Sequence, residues 1–143
     1  MRVLGIDLGL KRTGLAVSDE TGIAIRLLPH LNARNRKEAL EILLSLINEL
    51  AIVAVVIGCP DAKTSKSKAI SVRAQGLKEA LVQALVSSGL KTKVYLFDEE
   101  LSSKRGLHGL IRSGVPKERR KRMLDSAAAA ILVEDFLQLS SEK

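Results

Sequence analysis

Apolar and polar positions divide the chain into short β-type runs and longer stretches with helical spacing. Residues 2–7 and 13–18 are dense in Val, Leu, Ile and Ala and flank the loop Leu8-Gly9-Leu10-Lys11-Arg12, and Asp19-Glu20-Thr21-Gly22 then turns into residues 23–28. The pattern predicts three strands in an antiparallel meander. From Asn35 to Leu50, Leu40, Leu43, Leu44 and Ile47 recur at steps of three and four, which marks an amphipathic helix. Ile52 to Ile57 is a continuous apolar, β-branched run ending at Gly58 and Pro60, as expected of a strand buried on both faces. A polar loop, Asp61 to Lys68, precedes a second helix with Ile70, Ala74, Leu77, Leu81 and Leu85 on one face and Gly89 placed to end it. Val94 to Asp98 is another strand of buried type. Ser102 and Ser103 can cap a shorter helix that stops near Gly114-Val115-Pro116, and a last helix runs from Lys117 to Leu139.

The resulting order is βββ-α-β-α-β-α-α. Strands that alternate with helices imply right-handed crossovers over a parallel half-sheet. The expected fold class is therefore α/β, with a mixed five-stranded sheet of three antiparallel and then two parallel strands, flanked by helices. The first hairpin falls at its centre or its edge. Neither a repeat nor a linker interrupts the pattern. A length of 143 residues suits one domain, taken as 1–139 with a short tail, 140–143.

Composition narrows the possible functions. Aromatics are 2% of the chain, so the stacking platforms on which single-strand binders hold bases cannot be built, and affinity for nucleic acid must come from charge. A formal net charge of +7 favours anionic partners. With Cys59 as its one cysteine, the chain can form neither an internal disulfide nor a thiolate zinc site. Cys59 itself reads as a buried thiol at a strand end. No apolar run approaches the length of a membrane span, and Arg2, Asp7, Lys11 and Arg12 spoil a signal peptide. The expected location is a reducing, cytoplasmic one.

Three acidic positions interrupt apolar elements: Asp7 at the end of the first strand, the pair Asp98-Glu99 at the end of the last, and Asp125 before Ala127-Ala128-Ala129-Ala130. At about 100° per residue Asp125 shares its helix side with Ala128, Ala129 and Leu132, which turns it toward the sheet. Carboxylates gathered in an apolar setting repel one another unless cations neutralise them. Hard oxygen donors suit Mg²⁺ or Mn²⁺. Two such ions roughly 3.5–4 Å apart can activate water and stabilise the leaving oxygen of a phosphodiester. Taken singly, Asp98 also fits a cap or turn residue, Glu99 and Glu100 a solvated edge, and Asp125 an ion-pair partner of Lys121 or Arg122.

Gly5, Gly9 and Gly14 bracket Asp7 and allow close approach of backbone or phosphate, with Arg12 in the loop that faces such an approach. Lys104, Arg105, Arg112, Lys117, Arg119, Arg120, Lys121 and Arg122 lie between the second and third acids. Cations at a helix start oppose its dipole, which suggests that they contact phosphate rather than support the helix.

The run Gly5-x-Asp7-x-Gly9-x-x-Arg12-x-Gly14-x-Ala16-x-Ser18-Asp19 resembles the opening signature of the YqgF/RuvX family, the Holliday junction resolvase-like or pre-16S rRNA nucleases. Val56-Ile57-Gly58-Cys59-Pro60 resembles its Gly-x-Pro strand end, Phe97-Asp98-Glu99-Glu100-Leu101-Ser102-Ser103 its Asp-Glu-Arg-Leu-Thr-Thr segment, and Leu124-Asp125-Ser126-Ala127-Ala128 its closing helix. The resemblance spans nearly the whole chain and implies an RNase H-like fold. It also implies a nuclease whose metal-binding carboxylates are Asp7, Glu99 and Asp125, with a role in maturing the 5′ end of 16S rRNA. The chain departs from the family in having Glu100 where Arg is usual, which replaces a phosphate contact by a negative charge. The loop after Pro60 lacks the usual Asn and Gly, although Arg73 is placed like the family's downstream Arg. Ala128 stands where some resolvases of the wider superfamily carry a further acid.

Several functions follow as expectations. The first is a Mg²⁺- or Mn²⁺-dependent endonuclease acting on precursor rRNA, with Asp7, Glu99 and Asp125 as catalytic ligands. Arg12, Arg73 and the basic residues of 104–122 would position the backbone. The second is a resolvase of branched DNA acting as a dimer. The third, suggested by Glu100 and Ala128, is a non-catalytic module that binds nucleic acid or the ribosome. The expected partner is nucleic acid, with the ribosome as a further one and no membrane, and the chain as monomer or homodimer. The Gly-x-Asp-x-Gly run also resembles the first phosphate loop of actin-like ATPases, but those need two lobes that this length cannot hold.

Overall fold

Six consecutive buried residues make Val3–Leu8 (β1) the central strand of a five-stranded sheet. A strand covered on both faces has no solvent side, which is why Val-Leu-Gly-Ile-Asp-Leu lacks the polar alternation of a half-exposed strand. The computed structural model describes residues 1–9, 12–60, 64–98 and 117–141. β1 pairs antiparallel with β2 (Thr13–Ser18), which pairs antiparallel with β3 (Ile25–Leu31). On its other side β1 runs parallel to β4 (Ala54–Cys59), and β4 parallel to β5 (Lys93–Asp98), in the order β3-β2-β1-β4-β5. The mixed sheet agrees with the expected class, and the first hairpin is central.

Among the described residues two helices cover one face of the sheet and a third covers the other. α1 (Arg36–Glu49) and α2 (Ser65–Ser87) close a core of Leu4, Ile6, Leu43, Ile47, Ile57 and Leu81, among others. α3 (Lys117–Ser141) closes a smaller core in which Val133 meets Val3, Ala54 and Val56, with Phe136 and Phe97 packed beside it. Ser18 ties the sheet end together, its Oγ accepting from Val3 N at 2.8 Å and donating to Met1 O at 3.0 Å. No described helix is long and apolar enough to cross a membrane.

Several boundaries differ from the sequence expectation. β3 begins at Ile25 rather than at residue 23 because Asp19 closes the intervening turn, its N–H donating to Ala24 O and its carboxylate accepting from Ile23 N. β3 then continues through Pro29, which an edge strand tolerates. β4 starts two residues late, since Ile52 N still donates to Ile47 O to close α1, and it runs through Gly58 to Cys59. α2 begins at Ser65, inside the expected loop, because Thr64 and Ser67 form a reciprocal capping box.

Among the described residues β5 is an edge strand rather than a fully buried one, with Tyr95 38% exposed. α3 reaches Ser141, beyond the expected end at Leu139. The helix expected after Ser102 and Ser103 lies outside the described residues.

Candidate active site at the end of the central strand

Alternation along β1 sends Leu4, Ile6 and Leu8 into the core under α1 and α2, and leaves Val3, Gly5 and Asp7 on the face under α3. Asp7 is 6% exposed, so its carboxylate sits in the protein rather than in bulk water. The cross-strand neighbour of Asp7 on β2 is Gly14. On β4 the last recorded pair is Ile6 with Ile57, so one step further brings Asp7 level with Gly58. Glycine on either side clears this part of the sheet of side chains.

The same absence of side chains lets α3 come down onto β1. A β-carbon at Gly5 would stand 2.6 Å from the Ala129 carbonyl oxygen and 2.6 Å from Cγ2 of Val133, so only glycine fits there. The helix direction follows from a second contact. Leu137 lies against Gly22, and the cleft it lines with Gly22 also includes Met1, so the C-terminal end of α3 lies near the start of β1. The N-terminal half of α3 therefore extends toward Asp7. Residue 125 precedes Ala129 by one turn, about 6 Å along the helix. Asp7 follows Gly5 by two residues, about 7 Å along the strand in the same direction. Ala128, Ala129 and Leu132 are buried, the side of the helix expected to face the sheet.

The loop after β1 is held from two directions. Gly9 N donates to Arg12 O at 2.7 Å, and a β-carbon at Gly9 would collide with that same oxygen at 2.7 Å. Nη1 of Arg73, on α2, donates to Gly9 O at 2.7 Å. Arg12 and Arg73 are exposed on either side of the turn. Cys59 is half-buried, with its Sγ 3.4 Å from Ser71 Oγ, rather than fully buried.

The remaining expected positions fall as follows. Glu99, Lys104, Arg105 and Arg112 lie outside the described residues. For Lys117, Arg119, Arg120, Lys121, Arg122 and Asp125 the structure gives their place in α3, at its N-terminal half. Asp98 is the last residue of β5, paired with Cys59. Asp7, a buried carboxylate at a strand end on a face stripped by glycine, offers hard oxygen donors of the kind that suits a divalent cation.

Comparison with known proteins identifies the family and the fold. The RuvX family, described as Holliday junction resolvase, matches residues 1–139. The chain belongs to the RuvX family. A relative in Syntrophomonas wolfei, named "Putative pre-16S rRNA nuclease", is 31% identical over 137 residues, covering 96% of this chain and 94% of its own. One of the same name in Halothermothrix orenii is 26% identical over 142 residues, covering 99% and 98%. Among solved structures, Thermus thermophilus RuvC in complex with a Holliday junction substrate superposes with a TM-score of 0.56 at 20% identity, covering 98% of this chain and 96% of that one. The fowlpox virus Holliday junction resolvase gives 0.58 at 15% identity, covering 97% and 99%. The fold is thus RNase H-like. As a member of this family the RuvX chain is a nuclease, a hydrolase of phosphodiester bonds, and it binds nucleic acid. Nucleases of this fold and family generally use divalent metals.

The sequence reasoning missed two features of this region. Gly58 is a neighbour of Asp7 rather than a strand terminator, which the shared glycine pattern of Gly14 and Gly58 could have signalled. Arg34 and Arg36 lie on the other face beside Arg73, where a cation at the start of α1 was the available sign.

Proposed function

We propose that the chain is an endonuclease that matures the 5′ end of precursor 16S rRNA in the cytoplasm, using Mg²⁺ or Mn²⁺ held by Asp7, Glu99 and Asp125. The observation that carries the proposal is Asp7, buried at the end of β1 beneath the helix that bears Asp125. The resemblance of Phe97-Asp98-Glu99 to the family's Asp-Glu segment supports Glu99 as the second ligand. Phe97, level with Gly58, packs beside Phe136 of α3 and so shares the face of Asp7. The relatives named for pre-16S rRNA support the substrate.

The protein's own part is positional. Gly5 and Ala129 fix the distance between β1, which carries Asp7, and α3, which carries Asp125. Asp7 is held at the end of β1 with 6% of its surface exposed, and its carboxylate oxygens are hard donors of the kind that suits a divalent cation. Bound divalent metal would supply an activated water and charge stabilisation at the leaving oxygen. Arg12, Arg73 and the cations at 104–122 hold the backbone phosphates in register, a task in which charge rather than base contact is needed.

The test is Asp7→Asn. The variant should keep the circular dichroism and melting temperature of the parent and lose Mn²⁺-dependent cleavage of a precursor 16S rRNA 5′ fragment. Cleavage at the parental rate by a well-purified variant overturns the proposal. A second reading, resolution of four-way DNA junctions, is favoured by the family description, and symmetric nicks in a junction with the rRNA fragment left intact would establish it. Absence of Mn²⁺ binding at Asp7 would leave a non-catalytic binding module.

A further inference from the structure

On the sheet face opposite Asp7, a cleft of about 350 Å³ opens between the ends of β1 and β3 and the starts of α1 and β2. Leu8, the residue after Asp7, forms part of its floor, and Arg34, Arg36 and Arg73 stand on its walls. Each arginine reaches it from a different place in the chain. Arg34 lies in the loop before α1, Arg36 is the first residue of α1, and Arg73 comes from α2 and bonds to Gly9 of the loop that follows Asp7.

The charge in this cleft is poorly balanced. Among the described residues the ion pairs are Arg2 with Glu20 and Arg34 with Glu38, so neither Arg36 nor Arg73 faces a carboxylate at salt-bridge distance. The Arg34 pair is a single contact at 3.8 Å with Arg34 91% exposed, weak enough for the guanidinium to be drawn elsewhere. The seat of Arg36 is built into α2: a β-carbon at Gly76 would lie 2.9 Å from its Nη2. Glycine is the poorer helix former, and at this position it makes room for a cation. Asn35 caps α1 through Glu38 N, and the backbone N–H of Arg36 at that helix start adds a partial positive charge to the same cleft.

We propose that this cleft binds a backbone phosphate of the nucleic acid, one that lies beyond the scissile bond, so that the strand crosses the Gly9–Arg12 turn from the Asp7 face of the sheet to the other. The inference rests on the nuclease reading for its ligand class. Forked guanidiniums suit a phosphate through paired N–H donors. Their location predicts contact with the sugar-phosphate chain and not with base edges.

The experiment is equilibrium binding of a fluorescein-labelled RNA hairpin and a four-way DNA junction, in EDTA, across a salt series. Arg34→Gln combined with Arg36→Gln should weaken binding roughly tenfold. It should also reduce the slope of log K against log salt by about one to two. Replacing both by Lys should keep the slope and lose part of the affinity. A loss on one probe identifies the ribonucleic or deoxyribonucleic strand as the ligand, and a loss on both shows a site that reads phosphate alone. Unchanged affinity and slope on both probes, for a double variant with the parental melting temperature, overturns the inference and leaves cleavage at Asp7 untouched. Should the Gln variant not fold, the Lys variant decides: affinity identical to the parent overturns the forked phosphate contact. Binding is read without metal, so failure of Asp7→Asn to abolish cleavage would defeat the nuclease proposal independently.

Discussion

Gly5 and Ala129 meet backbone to backbone: the Ala129 carbonyl oxygen lies 2.6 Å from where a β-carbon on Gly5 would stand. The contact sets how closely α3 lies on β1, and Asp7 and Asp125 extend from it in the same direction. Gly5→Ala should therefore destabilise the fold by about 1–3 kcal/mol. Because the obstacle at Ala129 is a backbone atom, trimming that residue to Gly should rescue nothing. Val133→Ala should recover part of the loss, since Cγ2 of Val133 is the other obstacle. Urea denaturation of the single and double variants measures both effects, and full rescue by Ala129→Gly would contradict the stated geometry.

The burial pattern of α2 makes a second prediction. Leu81 is fully buried between the sheet and α1, whereas Val82, its neighbour, is 40% exposed. Leu81→Ala should cost about 2–5 kcal/mol through lost burial and the cavity left behind. Val82→Ala should change stability by no more than about 0.5 kcal/mol. Equal losses at both positions would show that the helix is rotated from the orientation described.

Both of these helical faces were legible in sequence, because Leu77, Leu81 and Leu85 on α2 and Ala128, Ala129 and Leu132 on α3 repeat with the helical period. Legibility ended where a residue's role depends on its neighbours in space. The alternation of β5 could not reveal that no strand lies beyond it among the described residues, so Tyr95 looked buried. Thr64 and Ser67 escaped notice as a capping box because the usual third-position Glu or Gln is replaced by a serine hydroxyl. Arg36 carried the same sign as Lys117 to Arg122, a cation at a helix start. Its significance came from Arg73, 37 positions later, which lines the same cleft and bonds to Gly9 O. Asp7 stood out from the start because a carboxylate inside an apolar strand is conspicuous in any context.

The Asp19 turn carries a pH dependence. Thr21 Oγ1 donates to Asp19 Oδ1 at 2.7 Å, and Ile23 N to the same oxygen at 3.2 Å. These bonds, that of Thr21 foremost, hold the Asp19 carboxyl below the usual aspartate range. A carboxyl depressed in the folded state contributes stability above its unfolded pKa and loses it as pH falls through the folded pKa. The turn should therefore be intact at neutral pH and loosen only in the acid region. Thr21→Ala should move the Asp19 titration upward in a carboxyl-carbon NMR experiment; a titration curve unaltered by the substitution would rule out Thr21 as the main cause.

Gly76→Ala separates the stability of α2 from the role of Arg36. In a helix interior alanine is favoured over glycine by up to about 1 kcal/mol. The new β-carbon would meet Nη2 of Arg36 at 2.9 Å, but that atom is the far end of a flexible side chain and can move at little cost. The helix gain should exceed the steric loss, and the melting temperature should rise. Displacing the guanidinium from its seat should at the same time move it away from the cleft shared with Arg34 and Arg73, and so weaken nucleic-acid binding. A protein that is more stable and binds less tightly is the expected combination. A rise in melting temperature with unchanged affinity would show that Arg36 reaches phosphate without its seat on Gly76. A fall in melting temperature would show that the guanidinium cannot move, and that the contact with α2 contributes to the fold itself.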